Sequence, residues 1–175
     1  MDIAEIYSQV MSYLYVTYED VDQTIRERNT QALLAGILTY AIFRECAYAD
    51  FELQVYALAP EELTAENIDA IFYRCMKTYG LTEGLSGKQW IGYHHFFDYP
   101  GYVISYATSA VVTLEICAMD LAEPGAGVDA FCRLLDRTHG KRFLEVLEEA
   151  GLDDPFEAAT LEKIAAFIKK SFHLK

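Results

Sequence analysis

Residues 34–49 read LAGILTYAIFRECAYA. Leu34, Ile37, Leu38, Ala41, Ile42, Cys46 and Ala49 recur there at intervals of three and four, the period of one apolar face of an α-helix. The pattern extends on both sides and predicts one long helix from about Val21 to Ala57, with Gly36 as the place for a kink. Pro60 and the acidic pair Glu61 and Glu62 end it.

The same period continues outward. Ile3, Ile6, Tyr7, Val10, Met11 and Leu14 mark a first helix. Thr64 suits the N-cap of a helix that ends before Gly80, a residue fitted to a left-handed C-terminal cap. Leu81 to Tyr99 carries Gly84, Gly87 and Gly92 among aromatics, and reads as a long loop with room for a short hairpin. Pro100 is placed to open the next helix, which runs to about Leu121. After a turn at Glu123–Gly125, helices are expected over Val128–Arg137 and Lys141–Ala150, the second closed by Gly151. Asp154 and Pro155 read as N-cap and first position of a last helix, with Leu161, Ile164, Ala165, Ile168 and Phe172 on one face.

No segment alternates with the period of a strand, and only 4 Pro and 10 Gly punctuate 175 residues. The fold class read from this is all-α, a multi-helix bundle with residues 1–175 as one domain. Hydrophobic residues make up 53% of the chain, and 13 Tyr with 10 Phe supply much of that. The net charge of −13 would repel a phosphate backbone, which argues against nucleic acid as a partner. The apolar stretch Tyr102–Met119 contains Ser105, Thr108, Ser109, Thr113 and Glu115, a mixture that suits a central buried helix rather than a membrane span. Cys46, Cys75, Cys117 and Cys132 form no C-x-x-C pair and read as reduced, buried thiols. No signal-peptide pattern opens the chain, so a cytoplasmic location is expected.

Candidate chemistry is sparse. The histidines are His94, His95, His139 and His173, none is followed by glutamate, and His94 and His95 are too close in sequence for an i, i+4 metal pair. No Gly-rich phosphate loop appears, and no spacing suggests a Ser/His/Asp or Cys/His arrangement.

Three segments in order carry a resemblance. The first is Ala4-Glu5-Ile6-Tyr7-Ser8. The second is Ile42-Phe43-Arg44-Glu45-Cys46-Ala47-Tyr48-Ala49-Asp50-Phe51-Glu52, followed by Leu63-Thr64 and Tyr79-Gly80. The third is His95-Phe96-Phe97, Pro100, Tyr102-Val103 and Tyr106-Ala107-Thr108. Together they resemble the C-terminal half of the oligoendopeptidase F and thimet oligopeptidase-like zinc metallopeptidases. The resemblance implies a helical peptidase scaffold for short peptides, with zinc held by an H-E-x-x-H helix that these residues do not contain. It places Glu5 at the third zinc-ligand position, His95 and Tyr102 at substrate or oxyanion contacts, and His94 and Tyr106 in the substrate-binding loop and aromatic run. Ser12, Gly101 and Ile104 depart from the family pattern, the last at an oxyanion tyrosine.

Each position also has a plainer reading. Glu5 fits a capping or solvated carboxylate, and the His94–His95 pair a solvent-facing aromatic loop. Arg44 and Glu52 would face the cleft together or belong to a buried ion pair with Glu45 or Asp50. The run Tyr99–Tyr106 is a peptide-binding wall or aromatic core. The reading that results is a truncated or degenerate peptidase, inactive alone, with no cofactor of its own. The alternatives are one half of a split zinc enzyme and a peptide- or protein-binding module. Apolar faces left without a partner predict a homodimer or a chain supplying the missing half.

Overall fold

The computed structural model describes residues 2–136 and 140–174. No strand occurs among them. The α-helices are α1 (Asp2–Tyr18), α2 (Gln23–Gly36), α3 (Glu45–Tyr56), α4 (Ala65–Thr78), α5 (His95–Asp98), α6 (Ile104–Ala122), α7 (Ala126–Asp136), α8 (Phe143–Ala150) and α9 (Ala158–Ser171). Arg137, expected to close α7, and His139 lie outside the described residues. The chain divides into two compact units, Met1–Ile37 with Thr108–Lys175, and Leu38–Ala107.

The first unit is built on α6. Val112, Leu114 and Ile116 are buried there together with the polar side chains of Ser109, Thr113, Glu115 and Asp120. Around it gather Ile6 and Val10 of α1, Phe131 and Leu134 of α7, Val146 and Leu147 of α8, and Leu152. Tyr13 joins this core, whereas Met11, expected on the inner face, is exposed. In α9 the buried line is Thr160, Ile164 and Ile168, and Leu161 points outward. Pro155 does not open α9: the Asp154 carboxylate accepts from the Phe156 amide at 2.8 Å in a tight turn, and the helix starts at Ala158.

Two buried acids order this unit. Asp120 accepts from the hydroxyls of Tyr13 (3.2 Å) and Tyr18 (3.0 Å) and from the amides of Gly125 (3.0 Å) and Gly127 (3.2 Å). Four donors offset the cost of burying the carboxylate and tie α1 to the turn between α6 and α7. Glu115 accepts from the Asp153 amide at 3.0 Å and from Lys163 Nζ at 3.0 Å, and Lys163 also reaches Asp153 at 2.7 Å. Burial holds the Glu115 carboxyl above its ordinary range, while the Lys163 hydrogen bond holds Asp153 below its own.

In the second unit α3 packs on α4. Its core is Ala47, Tyr48, Phe51, Ile71, Phe72, Cys75, Met76 and Val103, with Trp90, Tyr93 and Phe96 packed against it. Phe51 meets Phe72 edge-on at 5.2 Å and Phe96 at 5.0 Å, a geometry that aromatic quadrupoles favour. Thr64 caps α4 by accepting from the Asn67 amide, and Gly80 follows its end at φ 75°.

The helix expected over 21–57 exists, with two differences. It starts at Gln23, where the Asp22 side chain caps it, and just past Gly36 it winds as a π-helix over Ile37–Arg44. An i→i+5 turn is wider than an α turn and advances side chains less per residue. A stripe counted at 3.6 residues therefore drifts off the buried face. Ala41, Ile42, Cys46 and Ala49 stay partly exposed, while Glu45, Ala47, Tyr48, Phe51 and Glu52 are buried. The loop after Gly80 holds two short helical turns, Gln89–Gly92 and α5, in place of a hairpin. Pro100 sits in a turn, and α6 begins only at Ile104, because Gly101 adopts φ 75° and cannot continue a right-handed helix. All four cysteines are unpaired. Cys75 and Cys117 are buried as expected, Cys46 is half-buried, and Cys132 is exposed against the expectation.

By length and apolar composition alone, Gln23–Tyr56 and α6 would pass as membrane-crossing helices. In α6 that apolar surface is mostly spent on the core.

Candidate functional site

His95 is the centre of an aromatic cluster in the second unit. It opens the single turn of α5, and three tyrosines reach it from different places: Tyr93 just before α5, Tyr102 in the turn before α6, and Tyr106 in the first turn of α6. The rings of Tyr93 and Tyr102 stack on the imidazole at 5.0 and 5.7 Å with interplanar angles of 25° and 26°. Tyr106 stands edge-on at 5.9 Å, its hydroxyl oxygen 3.3 Å from Nε2. The His94 ring lies 4.1 Å away, and His94 itself is exposed. His94, His95, Tyr102 and Tyr106, singled out in the sequence, thus form one group. The hydrogen bond and two stacked faces restrict the imidazole to one orientation.

Behind the group is a polar anchor. Glu45 is 2% exposed, and its Oε1 accepts from Arg44 Nε at 3.0 Å and Nη2 at 2.8 Å. Its Oε2 accepts from the Tyr93 hydroxyl at 3.1 Å. Burial pushes the Glu45 carboxyl above its usual range despite Arg44, and burial with Glu45 nearby pushes the Tyr93 phenol well up. Tyr93 therefore stays protonated and donates at neutral pH. Of the two readings of Arg44, the ion pair with Glu45 is the one found. Glu52 is buried separately, accepting from the Gly101 amide at 2.9 Å and the Tyr56 hydroxyl at 3.2 Å. It holds the Gly101 turn that sets Tyr102 in place.

Tyr93 is the member that the sequence pattern did not single out. It is one of 13 tyrosines, distinguished by its stacking on His95 and its contact with a glutamate 48 residues earlier.

Glu5 lies in the first unit, half-buried on α1. The Ser8 hydroxyl donates to its backbone carbonyl at 3.0 Å and reaches its Oε2 at 3.4 Å. Hydrolytic zinc is held by about three protein ligands. Among the described residues no group of three or more His, Cys, Asp or Glu converges on one point. The described residues by themselves do not fit a zinc ion, and no catalytic step is derived through one.

An all-helical scaffold with a tyrosine-boxed histidine is the class that fold and site define. The model for peptidase family M3 matches residues 1–166, and the chain belongs to that family, whose members are zinc-dependent. No curated protein and no solved structure matches it.

Proposed function

We propose that these 175 residues form the substrate-wall side of an M3-type site, binding short peptides and leaving the hydrolytic zinc to a segment outside them. The observation that carries this reading is the His95 cluster. An imidazole stacked by Tyr93 and Tyr102 and bonded to Tyr106, with the exposed His94 ring beside it, sets polar groups in aromatic surroundings, which suits a peptide backbone flanked by apolar side chains. Family membership supports peptide as the ligand class. The absence of any His-Glu dipeptide in the sequence supports inactivity of these residues alone. The second reading is a split enzyme, in which an H-E-x-x-H segment on another chain supplies the missing zinc ligands. It rests on membership of a family whose members are zinc-dependent.

Calorimetric titration with short peptides tests the binding. His95→Ala and Tyr102→Ala should each weaken it by about tenfold, the loss of roughly one well-formed contact. Equal affinity in both variants removes the reading. Mixing with a chain that carries H-E-x-x-H separates the two versions: zinc uptake and hydrolysis support the split enzyme, and neither leaves the binding module.

A further inference from the structure

Beside the His95 cluster, the second unit contains a hollow of about 450 Å³ that the peptidase reading does not use. Its wall comes from the π-helical turn (Tyr40, Arg44), from α3 (Tyr48), from α4 (Phe72, Met76) and from Leu81 and Leu85 of the following loop. That volume is within the range of small-molecule sites, and the wall is mostly apolar and aromatic.

Arg44 gives the hollow its chemistry. A guanidinium has five N–H donors and two edges that fit a carboxylate side-on. The Nε/Nη2 edge is used, both atoms donating to one oxygen of Glu45. The terminal Nη1/Nη2 edge has no acceptor among the described residues, and the side chain remains 37% exposed. The guanidinium carbon lies 5.2 Å from the Tyr40 ring centre and 5.9 Å from that of Tyr48. Rings and ion pair together fix the guanidinium plane before any ligand arrives, which lowers the ordering cost of binding. Tyr40 and Arg44, four residues apart on one helix face, both line the hollow from the π-helical stretch, and such turns recur at functional sites.

We propose that this hollow binds a carboxylate carried on an aromatic or apolar body, taken bidentately by the free edge of Arg44. The α-carboxylate of a free amino acid and that of a peptide C-terminus share this chemistry. Glu83, the one acidic residue of the lining, works against a second negative charge and leaves a place for a ligand amine.

The test uses the full chain labelled at its methionine methyls. Met76 lines the hollow, while Met11 and Met119 belong to the other unit. N-acetyl-phenylalanine should shift the Met76 methyl with a dissociation constant of about 1 mM and leave the other two in place. N-acetyl-phenylalaninamide, identical except for its charge, should bind at least tenfold more weakly. Arg44→Lys should cost about fivefold, because an ammonium has no fork. Equal binding of acid and amide to the unaltered protein overturns the proposal, as does acid binding without a Met76 shift; neither result depends on a variant that folds. A short peptide ending in phenylalanine, bound at least fivefold more tightly than the acetylated amino acid, assigns the ligand to peptide C-termini. Equal affinity assigns it to the terminal residue alone. Because the readout is at Met76 and not at His95, failure here leaves the peptide-wall reading standing, and the reverse.

Discussion

The Tyr93 hydroxyl is one oxygen atom, yet it links a buried carboxylate to the ring that stacks on His95. Tyr93→Phe keeps the ring and removes the donor. Glu45 retains Arg44, so the cost should be about 1–2 kcal/mol, the low end for a buried acceptor that loses a partner. The sign of the pH dependence follows from Glu45. Its carboxyl is raised in the folded state, so ionisation weighs against folding above that raised value, and protonation relieves it. Losing a donor raises it further. The deficit of Tyr93→Phe should be full at neutral pH and should shrink as pH falls toward the unfolded value of about 4.3. Urea unfolding at several pH values checks this; a deficit that grows on acidification would contradict it. Much of this scale was legible in the sequence. His95, Tyr102 and Tyr106 were marked by the family resemblance and His94 as the neighbour of His95, and Arg44 had its ion-pair alternative. Tyr93 and Tyr40 were not, because their partners are set by packing and not by spacing.

At the scale of elements, α6 and α7 meet at Gly127, where there is no room for a side chain. A Cβ there would lie 2.5 Å from Asp120 Cβ and 2.8 Å from the Ile116 carbonyl oxygen. The Gly127 amide also donates to Asp120, so separating the helices breaks a hydrogen bond. Gly127→Ala should destabilise the protein by about 1–3 kcal/mol or more through overpacking, despite alanine's better helix propensity. An unchanged denaturation midpoint would show that α7 shifts freely and that the contact carries little. The elements themselves were largely readable: a helix through 34–49, the Thr64 cap and the stops at Gly80 and Gly151 all stand, whereas the apolar stripe counted along 34–49 does not keep to the buried face. What sequence periodicity could not supply was the winding after Gly36. A π turn uses the same residues as an α turn, and only tertiary packing selects it. Pro100 and Pro155 misled for a shared reason. Each suits a first helical position, but each is also at home in the turn before one.

Across the whole molecule, charge and exposed apolar surface oppose each other. A net charge of −13 repels a second copy, whereas Tyr15, Leu53, Ile91, Phe97 and Phe156 stand more than half exposed. We propose that association into a homodimer follows from the apolar term and is weakened by the charge, so it should strengthen as salt screens the repulsion. Light scattering at micromolar concentration across a salt series reads this directly. A monomer at every ionic strength would contradict it. The fold class was readable from period and composition together, but the partner was not, since a bare apolar face does not say what covers it.

The central proposal is that a segment outside these residues supplies the hydrolytic metal site, and zinc content measured alongside peptide turnover on the purified chain tests it most directly. The account predicts zinc well below one ion per chain, about a tenth or less, and no cleavage of short peptides, since about three converging ligands are required. One tightly held zinc per chain together with turnover would contradict it.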